Sequence, residues 1–403
     1  MSGAVLDPRL QAPRTAPRKK LQASWSDPRF RNLVWQVVII GAIAGIVWYL
    51  IANTAYNLSQ RRIATGFDYL SRIAGIPIGE HLIDYNPAVN TYARALIIGV
   101  LNTLKVAVVG VVLATILGTV IGVARLAKNW LVAKLAATYV EVIRDIPVLL
   151  QLFFWYSLLQ NLPPTAQAIN PVPGFFLSNR GIVVPWLDWN PAYWWCLLAL
   201  VVGIVGTFVV NRGAAAKQAQ TGLRPRTWPA TLGLVVGLPL VVWALLGAPF
   251  SLEVPEHTRF NFVGGATLSP EYGALTMGLV IYTAAYIAEI VRSGIQSVAL
   301  GQWEAAGALG LRNGTILRRI VLPQAMRVII PPMTSQYLNL TKNSSLAVAI
   351  GFQDLVSIAS TTLNQTGQAI EGIAVIMAVY LVISLSISLF MNWYNARIAL
   401  VER

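Results

Sequence analysis

Apolar residues along this chain gather into blocks of about 20, the length at which a helix crosses a hydrocarbon core of roughly 30 Å. Short segments rich in basic and turn-forming residues separate them. The blocks run from Leu33 to Ala52, Ala95 to Ala124, Leu135 to Gln160, Ala192 to Val210, Pro229 to Leu246, Gly273 to Val291, Val328 to Ile350 and Ile373 to Trp393. The expectation is an all-α, polytopic membrane protein of about eight transmembrane helices. A transmembrane barrel is excluded, because its strands would read as short alternating segments. Two segments break the pattern: Gly301 to Pro323, a loop with its own helical signal, and the polar stretch Asn339 to Ser345 inside an expected span.

Composition agrees: of 403 residues, 56% are hydrophobic and 11% charged, and the mean hydropathy of +0.61 exceeds what a soluble domain could bury. The net charge of +14 adds sidedness. Its bases form no continuous aromatic-laced stripe for nucleic acid, so no nucleic-acid partner is expected. They fall in alternate loops: Arg125, Lys128 and Lys134; Arg212, Lys217, Arg224 and Arg226; Arg312, Arg318 and Arg319; Arg397 and Arg403. The positive-inside rule places these and both termini in the cytoplasm. Opposite loops hold Asp84, Asp188, Glu253 and Glu256, with Trp186, Trp189, Trp194 and Trp195 as interfacial anchors.

Residues 1–32, with Arg9, Arg14, Arg18, Lys19, Lys20, Arg29 and Arg31, are expected to be a disordered basic tail. The apolar run after them is longer than a typical leader core and starts too late, which favours a retained helix. Cys196 lies within an apolar block, as a packing residue, and excludes a disulfide within one chain. His81 and His257 read as loop histidines that fit no metal-ligand pattern, so no metal site is expected.

In the first pattern-breaking segment, Gln302 to Leu309 is a helix-compatible run whose Ala305, Ala306 and Ala308 let a partner surface approach the backbone closely. Gly310 permits the turn into a second helical run from Leu311 to Ile320, and Pro323 marks re-entry toward the membrane. Glu304-Ala305-Ala306, then Gly310, Ile320 and Leu322-Pro323, resembles the EAA signature of ABC import permeases without a gap. No Gly-x-x-x-x-Gly-Lys-Ser/Thr phosphate loop occurs, so this chain is not the ATPase.

Around that loop the resemblance narrows to the polar amino-acid permeases of the HisMQ type. Tyr286-Ile287-Ala288-Glu289-Ile290-Val291-Arg292-Ser293-Gly294-Ile295 and Leu322-Pro323-Gln324-Ala325 resemble their signature stretch. Arg144-Asp145-Ile146-Pro147-Val148-Leu149-Leu150-Gln151 is similar to their Arg-Gly-Thr-Pro-Leu-Leu-x-Gln helix, with Asp145-Ile146 in place of Gly-Thr. Leu340-Thr341-Lys342-Asn343-Ser344-Ser345-Leu346 is similar to their Leu-Lys-Asp-Thr-Ser-Leu segment, with Asn343 in place of the acid. The enlarged layout looks most like the permeases of broad-specificity general L-amino-acid systems.

The resemblance implies a type I ABC importer permease core in two parts, residues 91–161 and 271–403, the second containing a cytoplasmic coupling loop at 301–323. Residues 33–90 would add an N-terminal transmembrane helix and periplasmic segment, and 162–270 an insertion with two further spans. It implies an inner-membrane subunit moving polar L-amino acids into the cytoplasm by alternating access. The implied partners are a homologous permease in a pseudo-twofold heterodimer, two ABC ATPase subunits and a periplasmic amino-acid-binding protein. ATP and Mg would be bound by the ATPases and no cofactor by this chain.

Ionisable groups at membrane depth usually face a cavity, a partner or one another. Lys342, Asn343, Ser344 and Ser345 interrupt an apolar span, and a broken helix there could present donors to an amino acid's carboxylate. Alternatively Lys342 pairs with Glu289 or reaches the outer interface. Asn102, Lys105, Gln151 and Glu289 are further candidates for the same cavity, and Glu141 with Arg144 reads as a salt bridge at a helix end. Catalytic residues are not expected: no His-Glu-x-x-His or Gly-x-Ser-x-Gly pattern supports an intramembrane enzyme. A secondary transporter also uses broken helices, but has no ATPase for a coupling loop to dock.

Overall fold

The computed structural model describes residues 25, 28–61, 65–223, 225–258 and 261–398. Most of the expected basic tail, with Arg224 and Arg403, lies outside them. The chain divides at Phe67/Asp68 into two units. Among its described residues the first contains one helix, α1 (Pro28–Gln60), exposed along nearly all its length.

The second unit contains the remaining helices. α2 (Tyr92–Ala124) and α8 (Pro270–Gln296) pack against each other, and α8 is the most buried of the long apolar helices. Their contact depends on missing side chains. A Cβ added to Gly118 would lie 2.7 Å from Ile287 Cβ, and one on Gly122 2.7 Å from the Ala288 carbonyl oxygen. Small residues at such spacing let membrane helices approach backbone to backbone, where dispersion replaces the hydrophobic drive that lipid does not supply.

The block from Leu135 to Gln160 is not one straight helix. It forms α3 (Trp130–Asp145) and α4 (Val148–Gln160), bent by 104°. Pro147 is the cause: it pushes Ile146 into extended backbone, φ −93° and ψ 125°, and cannot donate to a preceding carbonyl. The insertion carries α5 (Ala192–Thr221), three turns longer than its apolar block, and a return helix made of α6 (Trp228–Leu232), a π turn Gly233–Gly237 and α7 (Leu238–Leu245). Gly203 sits at the crossing, where an added Cβ would fall 2.0 Å from the Leu234 carbonyl oxygen.

Strands outside the spans are an addition to the expected all-helical fold. β1 (Ile169–Val172), β2 (Phe175–Ser178), β3 (Gly181–Val184) and β8 (Ala266–Leu268) form one antiparallel sheet. β4 (Trp186–Leu187) pairs with β5 (Leu252–Glu253), and β6 (Glu256–His257) with β7 (Phe262–Val263). His257 therefore belongs to a strand, and its Nε2 lies 2.7 Å from the Thr165 carbonyl oxygen.

After α8 come α9 (Leu300–Ala308), α10 (Asn313–Ile316), a π turn Leu317–Val321 and α11 (Leu322–Asn343). A 3₁₀ turn, Ser344–Ile350, leads across a 52° bend to α12 (Leu355–Thr366), and α13 (Ala369–Ile398) closes the described chain. Among the described residues six helices are long and apolar enough to span a membrane, and up to eight spans result if each bent pair counts as one. Residues 69–78 fold back onto this unit: Tyr69, Ile76 and Ile78 pack with Tyr92 and Leu96 of α2 and with Leu355 and Ile358 of α12. Tyr85 donates to the Ile76 carbonyl at 2.9 Å, and burial raises its phenol above the ordinary range.

Candidate functional site

One face of α11 is left uncovered by the rest of the chain. Val328, Pro331, Pro332, Ser335, Asn339 and Lys342 are all exposed, at spacings of three, four and seven that place them in one stripe. Ser335, Asn339 and Lys342 make no side-chain hydrogen bond or ion pair with any described residue. Pro331 and Pro332 lie inside the helix, so the carbonyls of Arg327 and Val328 lose their usual donors. Polar side chains and freed acceptors facing hydrocarbon would be costly. The stripe fits a wet cavity or a partner face instead. Ser335 and Asn339 were not among the sequence candidates, although their spacing from Lys342 was present in the chain.

At the stripe's end the helix breaks within the polar stretch, at Ser344. Ser344 is buried and donates to the Thr341 carbonyl at 2.7 Å, while Ser345 donates to the Lys342 carbonyl at 2.7 Å. Both hydroxyls stabilise the turn. Lys342 remains exposed and Asn343 half-buried.

The structure separates the other membrane-depth candidates from Lys342. Glu289 does not pair with it; its carboxylate accepts from Arg125, which caps α2, and from Arg292 of its own helix, and Arg292 donates on to Gln296 at 2.5 Å. Gln151 instead serves the α3–α4 bend, donating to the Ile143 and Ile146 carbonyls at 2.9 Å each. Arg144 does not bridge to Glu141. Its guanidinium lies 5.0 Å from the Tyr286 ring centroid, because the end of α3 faces α8 there.

Asn102 and Lys105 meet at a different place. Lys105 Nζ lies 2.9 Å from Glu80 and 4.0 Å from the Tyr272 ring centroid. Asn102 donates to the carbonyls of Glu80 and Gln353, each at 2.9 Å. Glu80 also accepts from the Ser269 amide at 2.7 Å, and Gln353 joins Gly79 and Pro77 at 2.7 and 2.6 Å. This network ties the segment before α2 to the start of α8 and the bend after α11. Glu80 and Gln353 carried no signal in the sequence, since their partners lie 22 to 276 residues away.

The Gly301–Pro323 segment presents a small-sided helix. Gly301, Glu304, Ala305 and Ala308 share the exposed face of α9, whereas Ala306 is only 3% exposed and packs inward with Trp303. Ala306 thus belongs to the fold's own core, which corrects its expected place on a docking face. Gly310, at φ +70°, ends the helix: its amide donates to Gly307 at 2.9 Å and the Leu311 amide to Ala306 at 3.3 Å, a Schellman cap. Ile320 is half-buried in the π turn, Leu322 is exposed and Pro323 occupies the first turn of α11. Gln324 reaches the Ile320 carbonyl at 3.0 Å and Gln302 at 3.4 Å, fastening α11 to α9. No group of three or more metal-binding side chains occurs among the described residues.

Several helices long and apolar enough to span a membrane, together with a broken helix that bears an uncovered polar stripe, define the class as a multi-pass membrane protein. Residues 232–400 match the family model of the binding-protein-dependent transport system inner membrane component. The putative amino-acid ABC transporter permease protein YhdX of Escherichia coli (strain K12) is 51% identical over 382 residues, covering 94% of this chain and 97% of that one. The general L-amino acid transport system permease protein AapQ of Rhizobium johnstonii is 48% identical, covering 94% of each chain. The glutamate/glutamine/aspartate/asparagine transport system permease protein BztB of Rhodobacter capsulatus is 42% identical, covering 94% of this chain and 96% of the relative. A crystal structure of an amino acid ABC transporter with histidines aligns at TM-score 0.44 and 22% identity, over 76% of this chain and 95% of that one. The chain belongs to the family of amino-acid ABC transporter permeases, as a transport component and not a catalyst.

Proposed function

We propose that this permease imports polar L-amino acids across an inner membrane by alternating access, with the α11 stripe lining the path. The uncovered Ser335–Asn339–Lys342 face is the observation that carries this reading. Lys342 would meet the substrate carboxylate, and the carbonyls freed by Pro331 and Pro332 would offer acceptors to its ammonium group. Relatives named for general L-amino-acid transport and for glutamate, glutamine, aspartate and asparagine support a broad polar substrate range.

In this reading a homologous permease completes the path as a pseudo-twofold partner. Two ABC ATPases, which bind ATP and Mg, dock below, and a periplasmic amino-acid-binding protein delivers from above. The exposed Gly301, Glu304, Ala305 and Ala308 face of α9 receives the ATPase. Gly310 ends that helix, Gln324 fastens it to α11 through Gln302 and the Ile320 carbonyl, and Leu322-Pro323 begin α11. Both termini lie in the cytoplasm, on the side of the basic loops. The test is reconstitution in sealed vesicles. ATP-dependent amino-acid uptake should require this chain, its partner permease, the ATPases and the binding protein together, and uptake by this chain alone would refute the assembly.

A further inference from the structure

Between α2, α11 and α13 runs a half-open cavity of about 780 Å³ lined almost wholly by hydrocarbon. Its few polar side chains are already satisfied. Tyr337 and Thr115 share a hydrogen bond of 2.9 Å, Thr341 donates to the Tyr337 carbonyl at 2.8 Å, and Ser386 donates to the Val382 carbonyl at 2.8 Å. No group in the lining is left to bind a polar solute, so this groove is distinct from the α11 stripe.

Length and the nearest charge bear on the occupant. The α2 wall runs from Val100 to Val112, roughly 18 Å at 1.5 Å per residue. An acyl chain lying along such a groove would meet hydrocarbon on every lined side. The length also approximates one leaflet, about half of the roughly 30 Å hydrocarbon core.

A cation stands near one end. Arg397 is six residues beyond Met391, the last lining residue on α13, and so roughly 9 Å further along the helix. Its guanidinium is held over two rings, 4.4 Å from the Trp393 centroid and 5.7 Å from that of Phe208, and pairs with no carboxylate among the described residues. A guanidinium so placed keeps its donors for a phosphate. We propose that this groove is a binding site for an anionic phospholipid, its acyl chain between α2 and α13 and its headgroup phosphate on Arg397. The inference needs only that the chain spans a membrane, and is independent of the substrate path.

Native mass spectrometry of the assembled transporter, exchanged into equal phosphatidylglycerol and phosphatidylcholine, would test it. The wild type should retain phosphatidylglycerol over phosphatidylcholine by roughly fivefold, the effect of one basic residue at a membrane surface. Arg397→Gln should abolish that preference yet keep lipid bound. Ser386→Trp, which fills the groove from an exposed position, should remove retention of both lipids. Should that variant fail to assemble, Ala378→Phe blocks the same groove from another exposed position. Equal retention of the two lipids by the wild type, or undiminished retention with the groove filled, would overturn the proposal. So would a photo-crosslinker at Ser386 that captured a protein subunit instead of lipid.

Discussion

A lysine at the end of a polar stripe on a membrane helix is costly unless something ionic or wet meets it, and no described carboxylate meets Lys342. If it receives the substrate carboxylate, Lys342→Met removes one charge-assisted hydrogen bond and should slow uptake by roughly tenfold or more. Assembly should be unaffected, because Lys342 is exposed and holds no other element in place. Normal uptake by a fully assembled mutant would exclude the role. Glu289 has the opposite character. It joins Arg125, just after α2, to Arg292 at the end of the close Gly118–Gly122 crossing, on the helix that precedes α9. Glu289→Gln leaves two partly buried guanidinium groups short of an acceptor and should cost about 2 kcal/mol, below the 3–5 of a fully buried pair. If the clamp also makes α2 and α8 move as one body, fewer amino acids should be imported per ATP hydrolysed. Exchanging the charges, Glu289→Arg with Arg125→Glu, should recover part of both losses. An unchanged transport-to-hydrolysis ratio in Glu289→Gln would leave the clamp a purely structural role.

If α9 docks the ATPase as proposed, its small residues divide between two tasks, and substitution can separate them. Ala305→Trp enlarges the exposed face, so the permease should fold normally but lose its ATPase on purification, or lose stimulation of hydrolysis by liganded binding protein. Ala306→Trp strikes the protein's own core and should destabilise the permease itself by about 1–3 kcal/mol through overpacking. Thermal unfolding of the isolated permease tells the two apart; wild-type coupling in Ala305→Trp would remove α9 from the docking surface. The helix itself was legible because Gly310 and Pro323 punctuate it, but a nine-residue segment gives too few turns to show which alanines face inward. The same limit applies elsewhere. The long apolar blocks announced α2, α8 and α13, whereas the 104° bend at Pro147 lay inside a block whose local polar dip at Glu141, Arg144 and Asp145 is averaged out over the length of a span. α12 has only 12 residues, and β4 to β7 have two each, too short for either periodicity to emerge. Glu80's partners were hidden for a different reason, since pairing across hundreds of residues is set by tertiary packing and leaves no local mark.

For the whole molecule, sidedness follows from charge more than from packing, and α5 allows it to be tested. Its 30 residues extend to roughly 45 Å, well beyond a hydrocarbon core of about 30 Å. The excess is the basic, alanine-rich stretch from Arg212 to Thr221, which therefore projects from the membrane with Lys217 and Gln218 exposed. If the positive-inside rule holds here, that projection is cytoplasmic. Cys196 lies in the same helix and is the natural chain's lone thiol, so it is first replaced by alanine. A cysteine at Gln218 should then resist a membrane-impermeant maleimide added to intact spheroplasts and react quickly in inverted vesicles. A cysteine at Asp84, exposed in the segment before α2, should show the reverse. The pair matters because α5 and the α6–α7 return helix form one hairpin. If both positions label from outside, the hairpin alone is inverted and the basic loops do not set its orientation. If both patterns are exchanged, the whole permease is inverted and α9 faces away from any cytoplasmic ATPase, which would end the importer reading.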